Sequence, residues 1–256
     1  MIVLSLDEAD HQAVMNFLLP DLVRNGALIA DCTVLRDGAR VFVAHKAGAI
    51  LGVMALFDDF VAIRCTSQNT FRKLLAAFGG MLSGRTLASI VPAEELAHIE
   101  TRAHLDSVEP MHRMLYDPPK EPEPPHLPET LARRLTVADL GLMRRFYAEL
   151  GMRHWWPEVL NHGPFYGIVE GERLVAAAGT YYVTDWLGEL GMVGVLPRYR
   201  RRGYAALVSH LVARDILTHA KKVCLHVVRS NLAAHRLYLG MGYRDVGEAF
   251  LVTWHV

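Results

Sequence analysis

Two periods of hydrophobic and polar positions take turns along the chain. Ser5-Leu6-Asp7-Glu8 has the form of a helix capping box, and Val14, Phe17, Leu18 and Leu22 behind it keep helical spacing. Residues 41–57, VFVAHKAGAILGVMALF, then read as strand, glycine-bearing turn and strand. A strand near 60–65, a helix near 69–78, a strand near 86–91 and a helical stretch near 93–104 follow. The same opening then recurs. Thr136-Val137-Ala138-Asp139 precedes Leu140, Met143, Phe146, Tyr147 and Leu150, with Gly151 placed as a C-cap, and 165–183 reads as a second hairpin. Past it the halves diverge: a strand at 190–195, a basic turn, a helix at 204–219, a strand at 223–228, a short helix at 232–239 and a last strand near 250–254. The expected fold class is α/β (α+β), a mixed sheet flanked by helices, preceded by a smaller related α/β unit.

Residues 117–130, DPPKEPEPPHLPET, separate the halves and hold Pro118, Pro119, Pro122, Pro124, Pro125 and Pro128. Prolines this dense fix φ and remove donors, so an extended linker is expected. The division is then 1–117, a linker at 118–130, and 131–256. Hydrophobic residues make up 52% of the 256, ample for a real core. Lys plus Arg and Asp plus Glu number 27 each, a neutral balance that argues against nucleic acid or an anionic membrane as partner. No apolar stretch reaches the ~18 residues of a membrane span. The first residues turn acidic too early for a signal peptide. Cys32, Cys65 and Cys224 are widely spaced, so neither a disulfide framework nor structural zinc is expected, and a cytoplasmic setting fits. The 13 histidines show no H-x-H or H-E-x-x-H pattern, and no metal is assigned.

The chemistry concentrates in 191–217. A β-rich strand runs into Pro197, then Arg198-Tyr199-Arg200-Arg201-Arg202-Gly203-Tyr204-Ala205, then a helix with Leu207, Val208, Leu211, Val212 and Ile216 on one side. Arginines and a glycine at a helix N-terminus make an anion site, because unpaired N–H groups and the positive dipole end converge there. A solvated loop is the competing reading of the turn alone. A dinucleotide-binding turn is excluded, since G-x-G-x-x-G is absent. One helix and one strand later comes Asn231-Leu-Ala-Ala234-His-Arg-Leu237-Tyr238-Leu-Gly-Met-Gly242-Tyr243.

Arg200-x-x-Gly203-x-Ala205 followed by N-x-x-A-x-x-L-Y-x-x-x-G-Y resembles the GCN5-related N-acetyltransferase (GNAT) superfamily over about 133–256. The first half resembles, more loosely, the degenerate leading unit of glycine N-acyltransferase-like and FR47-like relatives. The loop's usual first glycine is Arg201 here, which keeps the N–H but restricts the turn. The resemblance implies acetyl-CoA as acyl donor and transfer to a primary amine, on a small molecule or peptide, by direct attack. It implies backbone contacts from Val193, Gly194 and Val195 to the pantetheine and acetyl carbonyl, and N–H groups of Arg201, Arg202, Gly203, Tyr204 and Ala205 to the pyrophosphate, with Arg200 and Arg202 adding charge. Asn231 would hold the pantetheine arm, and equally fits as the N-cap of its helix. Tyr238 matches the general acid for the departing thiolate, its alternative being a packed helical aromatic. Glu189 is the best base candidate, an exposed strand-end glutamate being the plain alternative and Asp185 the substitute. Trp155, Trp156 and Tyr181 are candidates for the acceptor wall or, alternatively, a packing cluster. An acyl-CoA sensor without turnover is the other functional class, and monomer and homodimer both stay open.

Overall fold

The computed structural model describes residues 1–117, 126–152 and 155–256. Pro118, Pro119, Pro122, Pro124 and Pro125 of the expected linker, with Arg153 and His154, lie outside the described residues. The chain divides into two compact units, one of Met1–Arg113, Val227–Ser230 and Val246–Val256, the other of Met114–His226 and Asn231–Asp245.

The first half runs β1 (Ile2–Ser5), α1 (His11–Leu18), α2 (Leu22–Cys32), β2 (Ala39–Lys46), β3 (Ala49–Phe57), β4 (Phe60–Cys65), α3 (Gln68–Phe78), β5 (Leu87–Val91), α4 (Ala93–Glu100) and β6 (His104–Tyr116). The second runs β7 (Arg133–Arg134), α5 (Leu140–Glu149), β8 (Tyr166–Glu170), β9 (Arg173–Val183), β10 (Leu187–Val195), α6 (Tyr204–Ile216), β11 (Lys222–Val228), α7 (Leu232–Gly240) and β12 (Arg244–His255). Apart from the extra helix α2, the order of elements is the same. The expected divergence after the hairpin is therefore one of chemistry, not of architecture.

In the first unit the sheet runs β1-β2-β3-β4-β5-β12-β6. The strand between β5 and β6 comes from the far end of the chain: Phe250–Trp254 of β12 pair antiparallel with Val91–Leu87. Trp254 is wholly buried among Phe71, Leu74, Phe78 and Leu87, and its indole N–H donates to Ser89 Oγ at 3.0 Å. The linear split at 131–256 thus leaves out an exchange, since Val246–Val256 build the core of the first unit. The Ser5–Glu8 capping box forms, with Ser5 N and Oγ donating to Glu8 at 3.0 and 2.8 Å. It heads only a single 3-10 turn, and α1 starts later, where Asp10 accepts from Ala13 N at 3.1 Å. The helical stretch expected to reach 104 stops at Glu100, because His104 opens β6. That strand escapes a pattern reading: LDSVEP is polar and contains Pro110, whose lone backbone group, the carbonyl, accepts from Arg229 N at 2.8 Å.

Asp31 on α2 is 3% exposed, and burial pushes its carboxyl up to about 8. The folded state then holds a proton that the unfolded chain releases near pH 4, so stability falls as pH rises from about 4 to 8. Asp31→Asn is expected to flatten that slope in thermal melts taken across the range. The three cysteines are buried thiols, and none is in a disulfide.

The second unit carries β11-β10-β9-β8-β7 in that order. Thr136 N donates to Asp139 at 2.9 Å in the second capping box, which Arg133 clamps from outside at 3.0 and 2.6 Å. Gly151 follows α5 at φ 67°, the left-handed stop the sequence calls for. The apolar stripe of α6 is buried, with Leu207, Val208, Val212 and Ile216 fully sealed. Among the described residues, no helix is long and apolar enough to cross a membrane.

Candidate active site

β10 is the strand on which the site is built. It pairs antiparallel with β9 along most of its length, as far as Val195 opposite Ala176. With β11 it pairs in parallel only over Leu187–Glu189 and Lys222–Cys224. Among the described residues its other edge has no ladder partner beyond Glu189, and Val193, Gly194 and Val195 there are half-buried. Backbone groups left without a strand partner at such a depth need another one. A bulge between Gly191 and Gly194 re-aims this stretch, with Met192 at φ 54°. The hydroxyl of Tyr147 on α5 donates to the Met192 carbonyl at 3.0 Å and pins the bulge. Gly194 is required: a Cβ there would stand 2.4 Å from Leu150 Cδ1.

The turn out of β10 folds back on itself. Arg200 Nε donates to the Val195 carbonyl at 3.2 Å, and the Arg202 guanidinium lies 5.2 Å from the centre of the Tyr199 ring. Gly203, at φ 80°, is the N-cap residue of α6 and has no side chain to cap it. The first N–H groups of α6 therefore face outward uncapped, beside exposed Arg200, Arg201 and Arg202. An uncapped helix start beside arginines is suited to an anion. Arg201 itself is left-handed, at φ 65°. A residue with a Cβ costs roughly 1–2 kcal/mol there, most if β-branched. Arg201→Gly is accordingly expected to leave stability unchanged or raise it by up to about 1 kcal/mol, whereas Arg201→Val lowers it by a similar amount, both read by denaturant titration.

At the other end of the open edge, Glu189 is 7% exposed and accepts from or shares a proton with His226 Nδ1 at 2.9 Å. Tyr182 lies opposite Glu189, and a second bulge makes Tyr181 the extra residue of β9. The Tyr181 ring covers Gly191, where a Cβ would come within 2.2 Å of it. Burial, with the charges of Glu189 and Tyr238 adding to it, holds the Tyr181 phenol protonated. Tyr238 on α7 is 6% exposed, edge-on to Tyr243 at 5.7 Å, and burial pushes its hydroxyl up to about 12.

Residues 165–252, from β8 into β12, match the family described as FR47-like protein. An uncharacterized N-acetyltransferase of Escherichia coli, YedL, is 34% identical over 88 residues, 32% of this chain and 53% of YedL. The chain has the GNAT fold, and its residues 165–252 carry the FR47-like match. It spans about half the length of that curated relative. Two solved structures share the fold. A putative GNAT acetyltransferase from Novosphingobium aromaticivorans aligns with TM-score 0.62 and 22% identity, over 79% of this chain and 88% of that one. A GCN5-related N-acetyltransferase from Kribbella flavida aligns with TM-score 0.65 and 18% identity, over 90% and 95%.

Measured against the residues expected from the GNAT motifs, the geometry adds detail. Val193–Val195 lie on the open edge, and Arg201–Ala205 surround the uncapped helix start. Arg200, though exposed, braces the turn through its bond to the Val195 carbonyl. Asn231 takes the capping role, its Oδ1 accepting from Ala234 N at 3.1 Å, which leaves its amide NH₂ for other work. Glu189 is not an exposed strand end but a buried, partnered carboxylate. Asp185 is exposed in the β9–β10 hairpin. Trp156 stacks on Tyr181 at 6.4 Å, whereas Trp155 stacks on Tyr147 at 5.2 Å, behind the Met192 bulge. His226 was read as one of the scattered histidines. Its signal was period-two alternation with Cys224 on β11, usable only once Cys224 is known to lie beside Glu189.

Proposed function

We propose that this GNAT protein transfers an acetyl group from acetyl-CoA to a primary amine of a small molecule or peptide by direct attack in a ternary complex. The observation that carries the reading is the open edge of β10 leading, through one turn, to the uncapped N-terminus of α6. Those residues suit the donor: a row of unladdered backbone groups for the pantetheine arm and acyl carbonyl, then outward N–H groups and arginines for the pyrophosphate. The bound donor would supply an activated acyl thioester. N–H groups of the 193–195 stretch would stabilise the negative charge that develops on the acyl oxygen. The Asn231 amide would orient the pantetheine arm. A lysine-like amine is neutral only about one time in a thousand near pH 7, so a base is needed. Glu189, positioned by His226, would take the amine proton, directly or through one water. The Tyr238 hydroxyl, protonated far above neutral pH, would return a proton to the thiolate as the C–S bond breaks. Trp156 and Tyr181 would wall the acceptor beside Glu189.

The first half repeats the architecture without this chemistry. Only Thr66 and Ser67 separate β4 from α3, and Ser67 Oγ accepts from Thr70 N at 3.2 Å, closing the helix start that α6 leaves open. A degenerate GNAT-like unit that serves acceptor selection or assembly fits this, in a cytoplasmic protein. The test is thiol release from acetyl-CoA across a panel of primary amines. Amine-dependent release above the slow background hydrolysis is the expected result. Tight binding of acetyl-CoA with no release for any amine would make the protein an acyl-CoA sensor instead.

A further inference from the structure

We propose that His104, Asp106 and His255 form a binding site for a divalent transition-metal ion of the zinc class. His104 and Asp106 stand two residues apart at the start of β6, so alternation puts them on one side of the strand. His255 closes β12, the neighbouring strand of the first unit's sheet. Asp106 offers one oxygen to each imidazole: Oδ2 lies 3.4 Å from His255 Nδ1, and Oδ1 lies 3.8 Å from His104 Nε2. All the ligand atoms lie within 4.8 Å of one another. A tetrahedral ion with bonds of about 2.0–2.1 Å needs its ligand atoms roughly 3.3–3.4 Å apart. The two short distances use different Asp106 oxygens, so rotation of that exposed carboxylate and of the exposed His104 ring must bring one oxygen and both imidazole nitrogens from within 4.8 Å to that spacing.

Two imidazoles and one carboxylate favour zinc, cobalt or nickel over calcium and magnesium, which prefer all-oxygen shells. The cluster borders a depression of about 450 Å³ also lined by Glu100, Thr101 and Arg102. That side leaves a fourth coordination position for water or an added ligand, and Glu100 and Arg102 keep its rim near neutral. None of the three ligands is assigned to acyl transfer. Because they come from β6 and β12, an ion held by them would clip the final strand to the sheet. It would therefore bind the folded chain in preference to the unfolded one.

The test titrates Zn²⁺ into the full chain by calorimetry and Co²⁺ by visible absorption. The expected result is one ion per chain at this site, with a dissociation constant on the order of 10 µM because exposed ligands must be ordered on binding. Co²⁺ should show the intense visible bands of a four-coordinate ion, and Zn²⁺ should raise Tm. His104→Gln, Asp106→Asn and His255→Gln should each weaken binding by at least roughly tenfold and abolish the Co²⁺ bands. His11→Gln, an exposed histidine at the start of α1, should change neither. Metal-free circular dichroism matching the wild type confirms that each variant is folded; any that is not is replaced by the alanine variant. Absence of Zn²⁺ binding up to millimolar concentration, or binding and Co²⁺ bands unchanged in all three folded ligand variants, would overturn the proposal.

Discussion

Tyr238→Phe is expected to lower kcat by about 10²- to 10⁴-fold while leaving the KM for acetyl-CoA within about twofold. In the proposed mechanism the hydroxyl acts when the thiolate departs, so its removal would be felt in the transition state and not in ground-state binding. The ring remains, edge-on to Tyr243 at 5.7 Å, and the change removes a single oxygen from a buried aromatic, so the fold should hold. Burial carries the phenol up to about 12, which keeps the acid protonated across every pH at which kinetics are practical. The wild type should therefore show no alkaline loss of kcat from this group below about pH 11. Turnover equal to the wild type at all pH values would remove Tyr238 from the mechanism.

Glu189→Gln should cost a comparable 10²- to 10⁴-fold at pH 7, with a pH signature of its own. Without the base, the rate depends on the small share of acceptor that is already neutral, and that share rises tenfold per pH unit up to about 10.4. The variant's deficit should thus shrink steadily as pH is raised, and largely vanish near pH 10. Glutamine keeps the size of the side chain and can still accept from His226, so the site's geometry should survive. Steady-state kinetics of both proteins from pH 6.5 to 10 make the comparison. A deficit that stays constant with pH would mean that Glu189 holds the site together and moves no proton.

How much of this was legible in the sequence depended on whether the relevant partner was local. Gly203 and the arginine run could be read because a helix start is a local event. The Tyr238 motif was equally readable, since its residues lie on one helix and the turn that follows it. The open edge of β10 was reached only through the GNAT resemblance, which set the strands at 190–195 and 223–228 apart and put the donor contacts at Val193–Val195; the edge itself depends on β11 ceasing to pair after Cys224, a long-range parallel register that no local pattern encodes. His226 was missed for the same reason, because only that register brings it to Glu189. Trp155 and Trp156 are neighbours in sequence yet stack on different tyrosines, one behind the bulge and one beside Gly191. The final strand was found, but not its destination. A Trp254 buried against Phe71 and Phe78 is a long-range choice, made by whichever sheet can seal the largest apolar ring.

The central claim is that the turn at 200–205 is the pyrophosphate site, and the most direct measurement is a calorimetric titration of CoA into the wild type and Gly203→Asp. Aspartate tolerates the left-handed region better than most residues and is a good helix N-cap, so α6 should stay intact. Its Cβ would meet Leu127 Cδ1 at 3.2 Å, which asks that side chain to yield by only a few tenths of an ångström. The new carboxylate would occupy the outward N–H groups of α6 and repel the diphosphate. Losing those charge-assisted hydrogen bonds corresponds to about a 100-fold weaker Kd. The account predicts one CoA site in the wild type, weakened by at least that much in a variant that stays folded and loses no more than about 1–2 kcal/mol of stability; equal affinity in the two proteins would contradict it.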